Sequence, residues 1–387
     1  MTTLSPEMLR HILSKGCKAL ESNVEDINAL NVFPVPDGDT GTNMLLTMRA
    51  MENEVANTAN INSSELIATM ARGALLGARG NSGVILAQFF QGLSQGLNGK
   101  VVFDSKTLAS ALSMATTAAY KSVGNPTEGT MLTVMRAISE TAQRQAVEEP
   151  DVLTLWEDIC NAAKEALAQT PSLLPVLRQA GVVDAGGQGL CIILEGSLRE
   201  LKGEDIETIE LSIPEIDSNW NSVSETFLEA TDDELYGYCT QFLLQGETIE
   251  IDTMRDQMRS LATSTVIIGT DTMARIHVHT TDPGQVLSYA VTLGRLSQIN
   301  IANMDEQHQE FASARRKEHQ IQPIGLLVIC SGQGLMDIFM DYGASAVLSG
   351  GDTMNPSTKE ILDASEKIWA ERIIVLPNNR NIILAAE

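Results

Sequence analysis

Residues 31–43 are the most informative stretch of the chain and read Asn31-Val32-Phe33-Pro34-Val35-Pro36-Asp37-Gly38-Asp39-Thr40-Gly41-Thr42-Asn43. Two carboxylates stand one residue apart, and short polar side chains follow them. The prolines favour extended geometry in the residues before them, and the glycines permit the positive φ of a tight turn. The stretch is therefore typical of a loop whose backbone approaches a ligand closely.

A helical pattern follows this loop, with apolar residues at Met44, Leu45, Met48 and Met51. A helix N-terminus favours phosphate, because free N–H groups and the positive end of the helix dipole point toward it. Paired aspartates would repel phosphate unless a divalent cation lay between them, and Mg²⁺ takes carboxylate and phosphate oxygens as ligands. The stretch therefore predicts a magnesium–nucleotide loop, with Asp37 and Asp39 at the metal and the polar residues Thr40, Thr42 and Asn43 at the phosphates. An ordinary Asp-Gly turn with a helix cap is the alternative interpretation.

Composition excludes several classes of partner. The net charge of −24, from 50 acidic and 26 basic residues, argues against binding to nucleic acid or to an anionic membrane surface. No apolar run approaches the length of a membrane span, and the first residues lack the regions of a signal peptide. The five scattered cysteines do not suggest a disulfide framework. A soluble cytoplasmic protein of two or three domains is expected.

The N-terminal half has helical periodicity almost throughout, which predicts an all-α domain over residues 1–201. The predicted helices after the acidic loop lie near 43–57, 63–77, 82–97, 105–122, 127–145, 150–168 and 185–201. Polar, glycine-containing segments at 77–83, 127–131 and 184–189 fall at helix starts, where backbone N–H groups can cradle phosphate. Candidate nucleotide-binding residues in and near them are Asn81, Ser82, Gly83 and Arg178. Plain caps, glycine-rich turns and a solvated arginine are the alternatives.

The middle of the chain has a different pattern. Residues 202–233 are acidic and irregular and are interpreted as a linker, with one strand predicted at 208–211. From 234 to 312 the order is strand, helix, two strands, helix, strand, which is the split βαβ arrangement of a ferredoxin-like α+β domain. In that arrangement the first and third strands are central neighbours.

This arrangement places a possible metal site in the middle domain. Cys239 lies on the first strand, and His277 and His279 lie two residues apart on one face of the third. A thiolate and two imidazoles match the ligand preference of Zn²⁺. Two unrelated histidines and a buried core cysteine are the alternative interpretation.

The C-terminal segment has an α/β pattern, with apolar strand runs at 324–329, 346–348 and 373–376. Its glycine-rich turns contain no G-x-G-x-x-G, so no dinucleotide site is predicted. Residues 322–387 are interpreted as a partial α/β domain.

The run at 31–43, with Gly80-Asn81-Ser82-Gly83 and Asp184-Ala185-Gly186-Gly187, resembles the dihydroxyacetone kinase L-subunit domain family, most closely its bacterial fatty acid kinase A-subunit branch. The resemblance runs over essentially the whole chain. It implies an antiparallel helical barrel that holds ATP and Mg²⁺ at one end, with nucleotide contacts from Thr130, Met131, Asp184 and Gly186. It also implies Zn²⁺ at the Cys-His set, a homodimer, and a separate fatty-acid-binding subunit that carries the acyl substrate. That family continues past the end of this chain, so a C-terminally shortened member is expected.

Some residues depart from the dihydroxyacetone kinase pattern, which has a third aspartate upstream of the pair and a histidine directly after it. Asn28 and Asn31 stand upstream here, and Thr40 takes the position of the histidine. Asn31 is therefore a candidate neutral Mg²⁺ ligand. Gln241 stands where relatives are expected to have a glutamate.

The absence of a general base is compatible with the fatty acid acceptor that the resemblance implies. The only histidine of the helical domain is His11, on its first helix, so no convincing general base is present there. A carboxylate needs none, because it carries no proton at neutral pH. The sequence is interpreted as an ATP- and Mg²⁺-dependent kinase that phosphorylates the carboxylate of a fatty acid. A small-hydroxyketone kinase and a non-catalytic nucleotide- and zinc-binding scaffold are the alternatives.

Overall fold

The computed structural model of the chain has two compact units, residues 1–311 and 312–387. The structure describes residues 3–56, 63–100, 103–148, 150–204, 235–318, 324–350, 356–366 and 372–379, with the single positions 223, 227, 231, 368, 370, 382 and 383. The first unit contains a helical region followed by a four-stranded sheet, and the second contains a three-stranded sheet. None of the helices described is long and apolar enough to cross a bilayer.

The helical region consists of α1 (Pro6–Glu21), α2 (Val24–Ala29), α3 (Thr40–Ala56), α4 (Ser63–Gly77), α5 (Gly80–Leu97), α6 (Ser105–Ser122), α7 (Met131–Gln145), α8 (Val152–Leu173), α9 (Pro175–Ala180) and α10 (Ala185–Lys202). Short polar side chains cap several of them: Ser5 accepts from Met8 N at 3.1 Å, and Asp104 accepts from Thr107 N at 2.8 Å. From α3 to α8 each helix packs against the next, α8 packs against α10, α10 against α1, and α1 against α3. The long helices therefore form a closed series of contacts.

The sheet of the first unit contains β1 (Tyr238–Gln245), β2 (Ser264–Gly269), β3 (Met273–Thr280) and β4 (Arg295–Asn303) in the antiparallel order β2-β3-β1-β4. Helices α11 (Ile251–Leu261) and α12 (Pro283–Leu293) connect the strands, and α13 (Met304–Glu318) follows β4. One face of the sheet packs against α11 and α12 through an apolar core that includes Phe242, Ile276, Met258 and Val286. The first and third strands are direct neighbours, as the sequence pattern predicted.

The opposite face of this sheet is turned toward the helical region. Gly124, just after α6, donates from its N–H to Thr265 O at 2.9 Å, and Val123 forms a β-bridge with Val266. Arg259 donates to Gly124 O at 3.1 Å. Because side chains alternate along a strand, residues 239, 241, 275, 277 and 279 share the face opposite the apolar core. Polar side chains on this face are therefore brought to the helical region.

The second unit has a parallel sheet in the order β6-β5-β7, built from β5 (Gly325–Cys330), β6 (Ala346–Ser349) and β7 (Ile373–Leu376). Helices α14 (Gln333–Asp341) and α15 (Thr358–Glu366) join the strands. Leu327 and Ile329 pack against Ile361 on one face of the sheet.

In the helical region, three boundaries differ from the sequence prediction by three residues or more. Helix α3 begins at Thr40, because Asn28 Oδ1 accepts from Gly41 N at 2.8 Å and caps a helix start that carries no apolar pattern. Helix α7 begins only at Met131, since Thr130 is its cap. Helix α8 extends to Leu173 with Pro171 in its last turn.

Helices α2, α9 and α13 were not predicted. The first two have six residues each, which is too short for a clear periodicity. Helix α13 is rich in charged residues, and its buried positions include a histidine. The strand predicted at 208–211 lies outside the described residues.

Candidate active site

One cavity of about 330 Å³ gathers most of the residues that the sequence singled out. It lies where the starts of α3, α5, α7 and α10 face the polar side of the β1–β4 sheet. Its lining includes the candidate residues Asn31, Asp37, Asp39, Thr40, Thr42, Asn43, Asn81, Ser82, Thr130, Met131, Asp184, Gly186, Cys239, His277 and His279. The structure thus brings the predicted nucleotide loop and the predicted zinc ligands into a single cavity.

The acidic loop is held together by Asn31. Its amide nitrogen donates to Asp37 Oδ1, and its Oδ1 accepts from Thr40 Oγ1 at 2.6 Å. Asp39 is hydrogen-bonded to Asn43, one turn into α3. Asn31 therefore orients the acidic pair and the start of the helix, and its side-chain oxygen is already engaged by Thr40.

The charges of the acidic pair are not neutralised by the protein. Burial, and then the charge of Asp39, raises the pKa of Asp37 well above its usual range. Burial also raises the pKa of Asp39. No basic side chain forms an ion pair with either carboxylate within the described ranges. Two such carboxylates at a helix start fit a divalent cation that also holds phosphate oxygens.

Helix α13 supports this loop from the sheet side. His308 is buried, with Nδ1 3.2 Å from Pro36 O and Nε2 3.1 Å from Thr231 O. Three residues later, the ring of Phe311 lies against Gly38. Pro36 and Gly38, the neighbours of Asp37 in the chain, therefore both contact α13.

Within this loop, a substitution at Gly38 is expected to lower the stability of the protein most. Its φ is +67°, and a Cβ added there would lie 2.6 Å from Phe311 Cδ2. Gly38→Ala should lower the free energy of unfolding by about 1–3 kcal/mol, through the left-handed backbone and the clash. It should also weaken Mg²⁺-dependent nucleotide binding, because the aspartates on either side move with the loop. Urea unfolding and calorimetry measure the two effects.

Gly99→Ala is the matched control, because Gly99 has φ of +74° with nothing within 4 Å of an added Cβ. This variant carries the backbone cost alone and should keep the nucleotide affinity. Equal losses in stability and unchanged affinity in both variants would show that the contact with Phe311 does not position the loop.

The other helix starts complete the helical side of the cavity. Ser82 Oγ lies 3.4 Å from Thr40 O, and Gly80 is packed so closely that an added Cβ would meet Asn43 Nδ2 at 2.2 Å. Thr130 caps α7, and Asp184 caps α10 by accepting from Gly187 N at 2.7 Å. Burial raises the pKa of Asp184 to about 7. The contacts of Ser82 and Gly80 thus place the starts of α3 and α5 side by side.

The Cys-His cluster lies on the sheet side of the same cavity. Cys239 Sγ is 3.9 Å from His277 Nε2, that nitrogen is 3.1 Å from His279 Nε2, and one ligand atom from each of the three residues lies within 4.8 Å of the others. Tetrahedral Zn²⁺ needs about 3.4 Å between two nitrogens and about 3.6 Å between sulfur and nitrogen. The separations of His277 Nε2 from the other two ligand atoms are therefore close to those of a tetrahedral zinc site.

Electrostatics links this cluster to the acidic loop. Burial lowers the pKa of His279 to about 4 and that of His277 well below its usual range, so both rings are neutral, as metal ligands must be. Burial, and then the charges of Asp37 and Asp39, raises the pKa of the Cys239 thiol to about 12. A cation is therefore needed to hold this cysteine as a thiolate.

Comparison with known proteins assigns the chain to a family. Residues 34–199 match the model described as DAK2 domain, 235–311 match the middle domain of the fatty acid kinase A-subunit-like proteins, and 325–387 match their C-terminal domain. Proteins of Staphylococcus aureus strains USA300, N315 and Mu50 are 37% identical over 397 residues, an alignment that covers 100% of this chain and 72% of each relative. All three are described as uncharacterized proteins.

The chain belongs to the fatty acid kinase A-subunit-like family. Its three matched regions support a kinase related to fatty acid kinase.

In this member of the fatty acid kinase A-subunit-like family, two of the sequence candidates do not line the cavity. Arg178 is exposed on α9. Gly83 is buried inside α5, where an added Cβ would lie 2.4 Å from Thr47 Oγ1, so it allows α5 to approach α3. The structure gives Gly83 a packing role and leaves Arg178 away from the cavity.

Other lining residues were not singled out as candidates. Arg79 directly precedes α5, and Asn300 lies on β4 opposite Gln241. Gln241 Oε1 and Asn81 Oδ1 are buried without a hydrogen-bond partner among the described residues. Arg79 lies inside the polar segment 77–83 that was predicted to lie near phosphate, so its positive charge could have identified it as a candidate. Asn300 becomes visible only through strand register.

Proposed function

We propose that this chain is the A subunit of a fatty acid kinase, which transfers the γ-phosphoryl group of ATP to the carboxylate of a fatty acid held by a separate fatty-acid-binding subunit. The product is an acyl phosphate for phospholipid synthesis. The observation that carries this proposal is the acidic pair of Asp37 and Asp39, which has no protein counter-charge among the described residues and lies at a helix start in the cavity described above.

The nucleotide binds at the helix starts in this proposal. Asp37 and Asp39 would hold Mg²⁺, with Asn31 orienting Asp37, and the ion would supply positive charge to the phosphate groups. Thr40, Thr42, Asn43 and Ser82 orient the phosphates through hydroxyl, amide and backbone N–H groups. The unpartnered Oδ1 of Asn81 is available to the same ligand. Thr130, Met131, Asp184 and Gly186 line the remaining part of the nucleotide site.

The acceptor chemistry is balanced without a proton transfer. A carboxylate oxygen forms the new bond to the γ-phosphorus, and the bond from that phosphorus to the bridging oxygen breaks, which leaves ADP and acyl phosphate. The protein has to orient the two anions and exclude water from between them. The cavity does contain His277 and His279, which belong to the sheet and not to the helical region. We assign both to Zn²⁺ binding with Cys239, because the separations of His277 Nε2 from the other two ligand atoms are close to those of a tetrahedral zinc site.

The domain organisation follows the same proposal. Residues 1–201 form the nucleotide-binding helical barrel, 202–233 the linker, 234–312 a ferredoxin-like middle domain and 322–387 a partial α/β domain. The closed series of helix contacts and the strand order β2-β3-β1-β4 support the first and third of these assignments. Homodimer formation and a cytoplasmic location remain predictions from the sequence.

Carrier-dependent turnover tests this function. The purified chain with Mg²⁺-ATP and a bacterial fatty-acid-binding protein loaded with oleate should give one acyl phosphate for each ATP consumed, measured by hydroxylamine trapping and ADP release. The empty carrier is the control and should leave ATP turnover at background. Phosphorylation of dihydroxyacetone without the carrier would identify a hydroxyketone kinase instead. Nucleotide binding with no transfer to either acceptor would identify a scaffold.

A further inference from the structure

The three candidate zinc ligands occupy three corners of a square on the polar face of the sheet. In the register of β1 and β3, Cys239 stands opposite His279, and Gln241 stands opposite His277. Residues two apart on a strand point to the same face, and the Cβ atoms of directly opposite residues lie about 4.5–5.5 Å apart. Gln241 therefore occupies the fourth corner of the square, beside the ligands of the proposed zinc site.

Gln241 has an unused hydrogen-bond acceptor at this corner. Its side chain lines the cavity and is 8% exposed, and its Oε1 has no hydrogen-bond partner in the part of the chain that the structure describes. A buried carbonyl oxygen without a partner is unfavourable, and in most proteins such an atom is bound to protein or to ordered water. Because this oxygen can only accept, the group that it needs is an O–H or N–H donor in the cavity.

The possible ligands of the cavity differ in whether they supply such a donor. The carboxylate of the acceptor is ionised at neutral pH and can only accept hydrogen bonds, as can phosphate oxygens that hold a metal ion. Three protein ligands leave one position of a tetrahedral zinc ion to water. Water in that position offers an O–H donor next to the fourth corner of the square. Groups that hydrogen-bond to the ligands of a metal ion also tune its affinity and reactivity.

We propose that Gln241 is a positioning residue of the zinc site, and that its Oε1 accepts a hydrogen bond from water in the position that Cys239, His277 and His279 leave open. This rests on the zinc assignment made in the proposed function. An acceptor at this corner favours water, which has a proton to donate, over an anion that has none. Gln241 thereby disfavours the binding of phosphate and carboxylate oxygens directly to the zinc ion.

The test compares variants of the full chain reconstituted with Co²⁺ in place of Zn²⁺. Gln241→Met removes the acceptor with little change in side-chain length, and Gln241→Glu keeps an acceptor at the same place. Gln245→Met is the matched control, because Gln245 is an exposed glutamine on the same strand and face and lies outside the cavity lining. The visible absorption bands of Co²⁺, followed during titration with azide, report the affinity of an anion for the open position.

We expect azide to bind to the Co²⁺ form of the wild type, and to bind to Gln241→Met about 10-fold more tightly, because the competing water has lost one hydrogen bond. Gln241→Glu should bind azide more weakly than wild type, since a carboxylate accepts from the same water and repels an anion. Gln245→Met should match the wild type. Each protein should hold about one Co²⁺ per chain, because the three ligand residues are unchanged.

Equal azide affinities in wild type, Gln241→Met and Gln241→Glu would overturn the proposal. A wild-type spectrum that azide leaves unchanged would also overturn it, because no exchangeable water would then be present at the metal ion. If Gln241→Met does not fold or hold Co²⁺, the comparison of Gln241→Glu with wild type decides. The expected azide affinities in a wild type that forms no acyl phosphate with the loaded carrier would contradict the proposed kinase but support the role of Gln241.

Discussion

Asp37→Asn is expected to lower the rate of phosphoryl transfer by at least about 100-fold, on the scale seen when one preorganised electrostatic group is removed from an active site. The same change should raise the melting temperature of the ligand-free protein. Burial and the charge of Asp39 both disfavour the ionised form of Asp37, so a neutral side chain of the same shape relieves an unfavourable charge. Opposite signs for stability and activity distinguish loss of a metal ligand from simple unfolding.

Calorimetry with and without Mg²⁺ provides the direct measurement for this variant. In the wild type the metal should increase nucleotide affinity, and in Asp37→Asn that increase should be lost. Asp26→Asn, an exposed aspartate on α2, serves as the control and should keep both the affinity and the rate. Magnesium-dependent binding that survives in Asp37→Asn would contradict the metal assignment and, with it, the proposed kinase.

His277→Ala should abolish high-affinity zinc binding, because only three protein ligands are available among the described residues and the ring of His277 touches both others. Metal content should fall from about one zinc per chain in the wild type to near zero, since a structural or catalytic zinc site needs at least three protein ligands. Acyl phosphate formation should fall as well, because the cluster lines the same cavity as the acidic pair.

Metal analysis after gel filtration measures the loss, and cobalt substitution identifies the ligands. Wild type reconstituted with Co²⁺ should show a sulfur-to-metal charge-transfer band, which Cys239→Ser removes. His11→Ala is the matched control, because His11 is exposed on α1 and lies near Glu200 at 3.8 Å. A full zinc content in His277→Ala would show that the three residues are an ordinary hydrogen-bonded cluster.

Much of the local structure was predictable from sequence. The βαββαβ pattern of the middle domain predicted that β1 and β3 would be neighbours, and the structure pairs Cys239 with His279 and Gln241 with His277. Because side chains alternate along a strand, this pairing places theirs on one face of the sheet. That inference requires no information about tertiary packing. The start of α3 was predicted less well, because its cap comes from Asn28 on a different helix.

The sequence predicted two separate sites, a nucleotide loop and a Cys-His cluster. It did not show that the two share one cavity. The aspartates at 37 and 39 and the cysteine at 239 are about two hundred residues apart, so no spacing rule connects them. In the structure they line a common cavity, where the charges of the two aspartates add to burial in raising the pKa of the cysteine thiol. The role of α13 was missed for a similar reason, since His308 bonds to Pro36 O at 3.2 Å only after β4 has brought the helix to the loop.

By itself, the sequence determined most of the helical and strand segments, the acidic loop at a helix start, and a Cys-His set whose ligand types suit a metal ion. These features depend on interactions within one or two turns of chain or between strands joined by a short pattern. Only the tertiary structure decided that the polar face of the sheet covers the starts of α3, α5, α7 and α10. The physical reason is that such contacts arise from packing between distant elements, whose geometry is set by burial of their apolar faces and not by local residue order.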